Sequence, residues 1–136
     1  MHNPEVENKI LEIRRRDPRY SAQAYWFIFE ALDFTIRKLG RLKSASQERH
    51  ISGRELLEGI RESALESFGP MARVVVESWG VQRTTDFGEI VFNMVDAGLL
   101  SKQATDVLED FKDVFDFEEA FDKGYRVRLP RHLTRH

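Results

Sequence analysis

The chain has 136 residues, of which 41% are hydrophobic and 32% charged, with a formal net charge of −2, which fits one globular domain. It is too apolar for a disordered protein, and no apolar run approaches the roughly 18 residues that a membrane-spanning helix needs. The absence of cysteine excludes disulfides, thiolate zinc sites, iron–sulfur clusters and a cysteine nucleophile. Residues 1–4 lack the features of a signal peptide, so we expect a cytoplasmic protein without membrane contact.

Two helices are predicted in the first 40 residues. Asn3 and Pro4 form a typical helix start, and the first helix extends to Arg16, before Asp17 and Pro18 end it. Ser21 is the candidate cap of a second helix over residues 22–39, which Gly40 ends as a left-handed C-cap. This second helix has a wide apolar stripe and a narrow polar strip, on which Trp26 lies with Gln23, Glu30, Asp33 and Arg37.

A third helix follows a segment without periodicity at residues 41–49. Ser52 and Glu55 have the spacing of a capping box, and the apolar side chains that follow recur at helical intervals up to Phe68. Gly59 lies in the middle of this helix, where glycine is unfavourable by roughly 0.5–1 kcal/mol relative to alanine. We therefore expect another helix to cross closely at Gly59.

Three further helices are predicted in the second half of the chain. Pro70 begins a short fourth helix that Gly80 ends, and Thr85 is the candidate cap of a fifth helix that extends to Gly98. A sixth helix is expected from about Lys102 to Phe115, followed by a pair of phenylalanines, Phe117 and Phe121, at helical spacing.

The predicted fold class is mainly α, a compact domain of about six helices over residues 1–122 with at most a few short strands. Helices three to five form a tri-helical core. Short extended stretches at residues 50–51, 98–100 and 114–115 fall where a winged helix carries its strands, and residues 125–129 alternate like an edge strand. The fifth helix has no Lys or Arg to face DNA phosphates, so the winged-helix shape is expected without a DNA-reading function.

Charge is unevenly distributed at the end of the chain. Residues 105–122 contain eight acids and one base, whereas residues 123–136 contain five bases and no acid. The basic C-terminal tail therefore either folds back on the acidic segment, meets an acidic partner, or remains a solvated, frayed end.

No catalytic or cofactor constellation is visible. The four histidines are scattered, and the nucleophile elbow, the phosphate-binding glycine loop and the dinucleotide fingerprint are all missing. The carboxylates of residues 106–122 lack the alternating ligands and central glycine of a calcium loop. We therefore expect no metal, no cofactor and no enzymatic activity.

Two kinds of binding surface remain. Trp26 lies on the polar strip of the second helix, as an interface anchor or under the C-terminal segment. A basic region that contains aromatic residues is the candidate for contacts to RNA or to a ribosome, and its members are Arg14, Arg15, Arg16, Arg19, Arg37, Lys38, Arg41 and Lys43. Arginines in a last helical turn also stabilise the helix dipole, so the alternative is a structural role. The preferred hypothesis is a module that binds another protein or itself.

Several strings together resemble a bacterial family of small conserved proteins of uncharacterised function. They are DPRY (residues 17–20), RHISGRELLEGIR (49–61), FGPM (68–71), WGV (79–81), DFGEIVFNMV (86–95), GLL (98–100) and DFEEAF (116–121). The likeness covers about residues 5–122 and implies no reaction or ligand. If it marks a functional surface, the candidates are Arg49, His50, Ser52, Glu55, Trp79, Asp86, Glu89 and Asn93. The alternative is that Ser52 and Glu55 cap a helix and that Trp79 packs in the core.

Overall fold

The computed structural model describes residues 3–40, 51–100 and 111–123. Within these ranges the chain forms five α-helices, α1 (Pro4–Arg16), α2 (Ala22–Gly40), α3 (Gly53–Phe68), α4 (Ala72–Ser78) and α5 (Thr84–Asp96). A 3₁₀ turn over Gly69–Met71 precedes α4, and a π-helical turn over Glu118–Lys123 follows α5. The mainly α fold is confirmed, with five α-helices in the described residues against about six predicted.

The predicted boundaries of α1 and α3 are confirmed by their caps. The Asn3 side chain accepts a hydrogen bond of 2.8 Å from the Glu5 amide, and Pro4 is the first helical residue. At the start of α3, Ser52 Oγ accepts from the Glu55 amide and Glu55 Oε1 accepts from the Ser52 amide, both at 3.0 Å. Ser52 and Glu55 thus form the predicted capping box, which satisfies two amide groups that the helix leaves unpaired.

Three other caps were predicted wrongly. Helix α5 begins at Thr84, one residue before the expected cap Thr85, and Thr84 Oγ1 accepts a hydrogen bond of 3.0 Å from the Val114 amide. The Ser21 hydroxyl is buried and has no hydrogen-bond partner among the described residues, so it does not cap α2. Gly40 is the last residue of α2 itself and not a left-handed residue beyond it.

The close helix crossing expected at Gly59 is confirmed. A Cβ atom built at Gly59 would lie 1.8 Å from Thr35 Oγ1, a distance that no packed pair of atoms tolerates. Thr35 is buried on α2 and donates its hydroxyl proton to the Ala31 carbonyl oxygen at 2.7 Å. Helices α2 and α3 can therefore approach this closely only because residue 59 has no side chain.

The described residues contain no β-strand, so the strands expected of a winged helix are not present within them. The amides of Gly98 and Leu99 donate back to the Val95 and Met94 carbonyl oxygens, the pattern of a Schellman motif at the end of α5. The Val114 amide donates to Thr84 Oγ1, so it too is engaged in a contact other than strand pairing. Residues 101–110, where most of the sixth helix was predicted, and His50 lie outside the described residues, and residues 112–116 are not helical.

One apolar core joins all five helices. The rings of Phe117 and Phe121 meet edge to face, with their centroids 5.1 Å apart, as their spacing predicted. Phe121 is fully buried, and so are Tyr25 of α2 and Phe87 of α5. Each large side chain removed from water in this way stabilises the fold by about 1.5–3 kcal/mol, so the core fixes the relative positions of the surface groups described next.

Candidate functional site

The segment that joins α1 to α2, residues 17–20, is bound to α5 by a network of charged groups. Arg19 forms two hydrogen bonds of 2.7 Å with the Asp17 carboxylate, through Nε and Nη2. Its Nη2 also donates to Glu89 Oε2 at 3.0 Å. These bonds raise the pKa of the Arg19 guanidinium, and the bond from Arg19 holds the pKa of Asp17 well below its usual range. Both groups therefore remain charged at neutral pH.

Tyr20 makes the second connection between the two segments. Its hydroxyl donates to Asp86 Oδ1 at 2.6 Å, while Asp86 Oδ2 accepts from the Gln82 amide at 2.9 Å. Burial of Tyr20 raises the pKa of its hydroxyl, and the hydrogen bond to Asp86 raises it further. Asp86 thus binds both the phenol and the backbone that directly precedes α5.

Asn93 makes the third connection. Its Nδ2 donates to Asp17 Oδ2 at 3.0 Å and to the Tyr25 hydroxyl oxygen at 3.2 Å. The Tyr25 side chain is fully buried, and this burial raises the pKa of its hydroxyl. Asn93 therefore links α5 both to the 17–20 segment and to the core face of α2.

The structure brings together three of the predicted interaction residues, Asp86, Glu89 and Asn93. They share one side of α5, as their helical spacing requires. Every one of them has a partner within the protein, so this network, which we call the α5 clamp, fixes the position of the 17–20 segment. From the sequence, Asp17 was expected to end a helix and Arg19 to contact nucleic acid. No sequence pattern indicated that Asp17 binds Asn93 or that Arg19 binds Glu89.

The described residues of the predicted nucleic-acid region are mostly engaged within the protein. Arg14 donates to the Tyr20 carbonyl oxygen at 2.9 Å, and Arg16 lies 3.6 Å from Asp96. On α2, Arg37 pairs with Asp33 at 2.7 Å and Lys38 pairs with Glu62 of α3. Arg15 is exposed and makes no ion pair with any described residue. Arg41 and Lys43 lie outside the described residues.

The two tryptophans have different environments. Trp79, proposed from the sequence as an interaction residue, is only 6% exposed and packs against Phe27 and Phe68, with ring centroids 5.1 and 5.9 Å away. It is a core residue, because the turn after α4 directs it inward. Trp26 is half-buried on α2 and lies 5.8 Å from the Phe29 ring. Arg49 and His50, the remaining predicted interaction residues, lie outside the described part of the chain.

A cleft opens beside the outer face of α2, where that helix crosses α3. It has a volume of about 440 Å³, and the described residues that line it are Glu30, Asp33, Phe34, Arg37, Lys38 and Ser63. Glu30, Asp33 and Arg37 belong to the polar strip that the sequence also assigned to Trp26. The cleft was not predicted from the sequence, because Ser63 belongs to α3 and no local pattern indicates which residues of α3 face α2.

Within residues 3–40, 51–100 and 111–123, no three His, Asp or Glu side chains are grouped so as to hold a metal ion. Among the same residues, no helix is long and apolar enough to cross a membrane.

Comparison with protein-family models, with curated proteins and with solved structures finds no match to this chain. The resemblance carried by the sequence strings therefore remains a prediction.

Proposed function

We propose that this protein is a non-enzymatic interaction module that acts in the cytoplasm and binds a basic segment of another protein through the outer face of α2. The observation that carries the proposal is the cleft of about 440 Å³ on that face. Its volume is within the range of about 300–1,000 Å³ that is common for binding clefts.

The arrangement of α2 supports this surface. Its inner face supplies Tyr25, Ile28 and other core residues, whereas Trp26, Glu30, Asp33 and Arg37 follow one another on the opposite side at helical spacing. Tryptophan has both a large apolar surface and a polar N–H group, and it is enriched among the residues that dominate binding energy at protein interfaces.

Charge favours a basic partner segment. Arg37 is paired with Asp33, and Lys38 with Glu62. Glu30 is exposed and makes no ion pair within the described residues, so one of the two carboxylates that line the cleft is unpaired, whereas both cations are paired. Complementary charge accelerates association and disfavours partners of the wrong sign.

The same pairing argues against the alternative, an RNA- or ribosome-associated protein. Phosphate binding needs cations that are free to replace condensed counterions, whereas the described basic side chains of the predicted region, other than Arg15, contact carboxylates or a carbonyl oxygen. A gel-shift titration with single-stranded RNA distinguishes the two functions. Salt-dependent binding that is lost when Arg14, Arg15 and Arg16 are changed to alanine would favour the RNA function.

The proposed function is tested with two single variants of equal charge change. Glu30→Lys alters the α2 face, and the matched control Glu12→Lys alters an exposed helical position on α1. Partners enriched by the tagged wild-type protein are identified by mass spectrometry, and the purified pair is then studied by calorimetry. We expect Glu30→Lys to weaken the complex at least tenfold and Glu12→Lys less than twofold.

The proposal fails if both variants bind the partner with equal affinity, because the partner then uses another face. It also fails if the wild-type protein enriches no partner at low salt. Light scattering on the protein alone tests for self-association. A dimer that Glu30→Lys disrupts would show that the partner at this face is a second copy of the same protein.

A further inference from the structure

The cations and the carboxylates that line the cleft between α2 and α3 differ in whether they are paired within the protein. Of its charged lining residues, Arg37 and Lys38 are each neutralised by a carboxylate, Asp33 and Glu62 respectively. Glu30 has no cation within the described residues. A cationic ligand would therefore find a carboxylate that is not already paired, whereas an anionic ligand would have to displace Asp33 or Glu62.

Ser63 provides an independent observation. It is only 9% exposed, it lines the cleft, and its hydroxyl makes no hydrogen bond with any described residue. The Ser63 hydroxyl oxygen is not one of the fully buried, unpaired side-chain atoms, so solvent reaches it and it is available as an acceptor to a molecule in the cleft.

Phe34 contributes an aromatic side chain to the lining of the cleft. It is half-buried on α2, one helical turn after Glu30. The long apolar stem of an arginine or a lysine packs well on such a ring, while the charged head reaches polar groups. A carboxylate, a hydroxyl acceptor and an aromatic side chain together are the groups that recognise an alkylguanidinium or an alkylammonium ion.

We infer that the α2–α3 cleft is a binding site for one cationic side chain, arginine or lysine, of the partner protein, with Glu30 as the counter-ion and Ser63 as a hydrogen-bond acceptor. This inference rests on the proposed function and specifies the partner's chemistry at that surface.

The test uses N-acetyl-arginine amide as the cationic probe and N-acetyl-citrulline amide, which has nearly the same shape and no charge, as its control. Both are titrated into the isotopically labelled full-length protein, and amide chemical shifts are followed by nuclear magnetic resonance. We expect the arginine probe to shift the amides around Glu30, Phe34 and Ser63 with a dissociation constant on the order of millimolar, as is usual for so small a ligand.

Variants separate the roles of the two polar groups. Glu30→Gln keeps the shape of the side chain and is expected to weaken binding of the arginine probe at least fivefold, with a smaller loss at high salt. Ser63→Ala is expected to weaken it about two- to fivefold, because one hydrogen bond is lost. Glu12→Gln on α1 should leave it unchanged.

Equal binding of the citrulline and arginine probes would overturn the inference, as would shifts confined to another surface. If Glu30→Lys abolishes partner binding but the arginine probe does not bind, only this inference fails. If the probe binds in the cleft but Glu30→Lys leaves partner binding intact, the proposed function fails. Tighter probe binding after Arg126, Arg128, Arg131 and Arg135 are changed to glutamine would identify the chain's own C-terminal segment as the occupant and would overturn the assignment to a partner.

Discussion

Gly80 lies against the backbone of Arg19, where a Cβ atom at position 80 would be only 2.2 Å from the Arg19 carbonyl oxygen. Gly80 also has a φ of +95°, in the left-handed region that other residues rarely adopt. The neighbouring Trp79 carbonyl oxygen accepts a hydrogen bond of 3.0 Å from the Ser21 amide. The 17–20 segment thus packs directly against the turn between α4 and α5.

Replacing Gly80 by alanine should destabilise the protein through both its backbone conformation and its contact. The left-handed backbone alone disfavours alanine by roughly 1–2 kcal/mol, and the contact with Arg19 adds to this. Gly98→Ala is the matched control, because Gly98 has a φ of +79° but its nearest neighbour, Lys9 Nζ, would lie 3.8 Å from the new Cβ. We expect urea unfolding to show a loss for Gly80→Ala that exceeds that for Gly98→Ala by at least about 1 kcal/mol. Equal losses would show that residues 17–20 move away at little cost.

Gly59→Ala should destabilise the protein although alanine is the better helix former by about 1 kcal/mol. The new methyl group would overlap Thr35 Oγ1 and force α2 and α3 apart. Thr35→Ala removes that oxygen, so the double variant should recover part of the loss. Additive losses in thermal unfolding of the single and double variants would contradict the close crossing.

The α5 clamp predicts a specific sensitivity to acid. The pKa of Asp17 is lowered in the folded protein by Arg19, so this carboxylate stabilises the fold above its unfolded pKa of about 3.8. The contribution is lost as the pH falls below that value towards the lower folded pKa. Asp17→Asn should therefore reduce the free energy of unfolding more at pH 7 than at pH 3.

The control for this pH effect is the same change in an Arg19→Gln background. Without the guanidinium, the effect of Asp17→Asn on the free energy of unfolding should differ much less between the two pH values. If the effect of Asp17→Asn on the free energy of unfolding changes with pH by the same amount in both backgrounds, Arg19 is not the cause of the lowered pKa.

Tyr20→Phe should destabilise the fold by about 1–2 kcal/mol at neutral pH, because the half-buried Asp86 carboxylate loses the hydroxyl donor. The pKa of the Tyr20 hydroxyl is raised by burial, so its protonated form stabilises the fold below the unfolded pKa of about 10. As the pH rises above 10, wild-type stability should fall relative to Tyr20→Phe. Chemical unfolding at pH 7 and pH 10.5 measures both effects. If the free energies of unfolding of the wild type and Tyr20→Phe differ by the same amount at both pH values, the phenol is not buried in its neutral form.

The helices and several of their ends follow from local sequence patterns. Asn3 with Pro4, and Ser52 with Glu55, act through atoms within a few residues of one another, so the chain encodes these caps locally. The turn that follows α4 is also encoded locally, by the glycine at position 80. The phenylalanine pair 117 and 121 follows from helical periodicity alone.

The contacts between surface groups, in contrast, arise from the packing of the helices. Arg19 and Glu89 are 70 positions apart, and Glu30 and Ser63 belong to different helices, so no spacing in the sequence relates them. Their proximity depends on how α2 packs against α3 and α5. That packing arises from many weak apolar contacts summed over the whole core, and a local pattern cannot specify it.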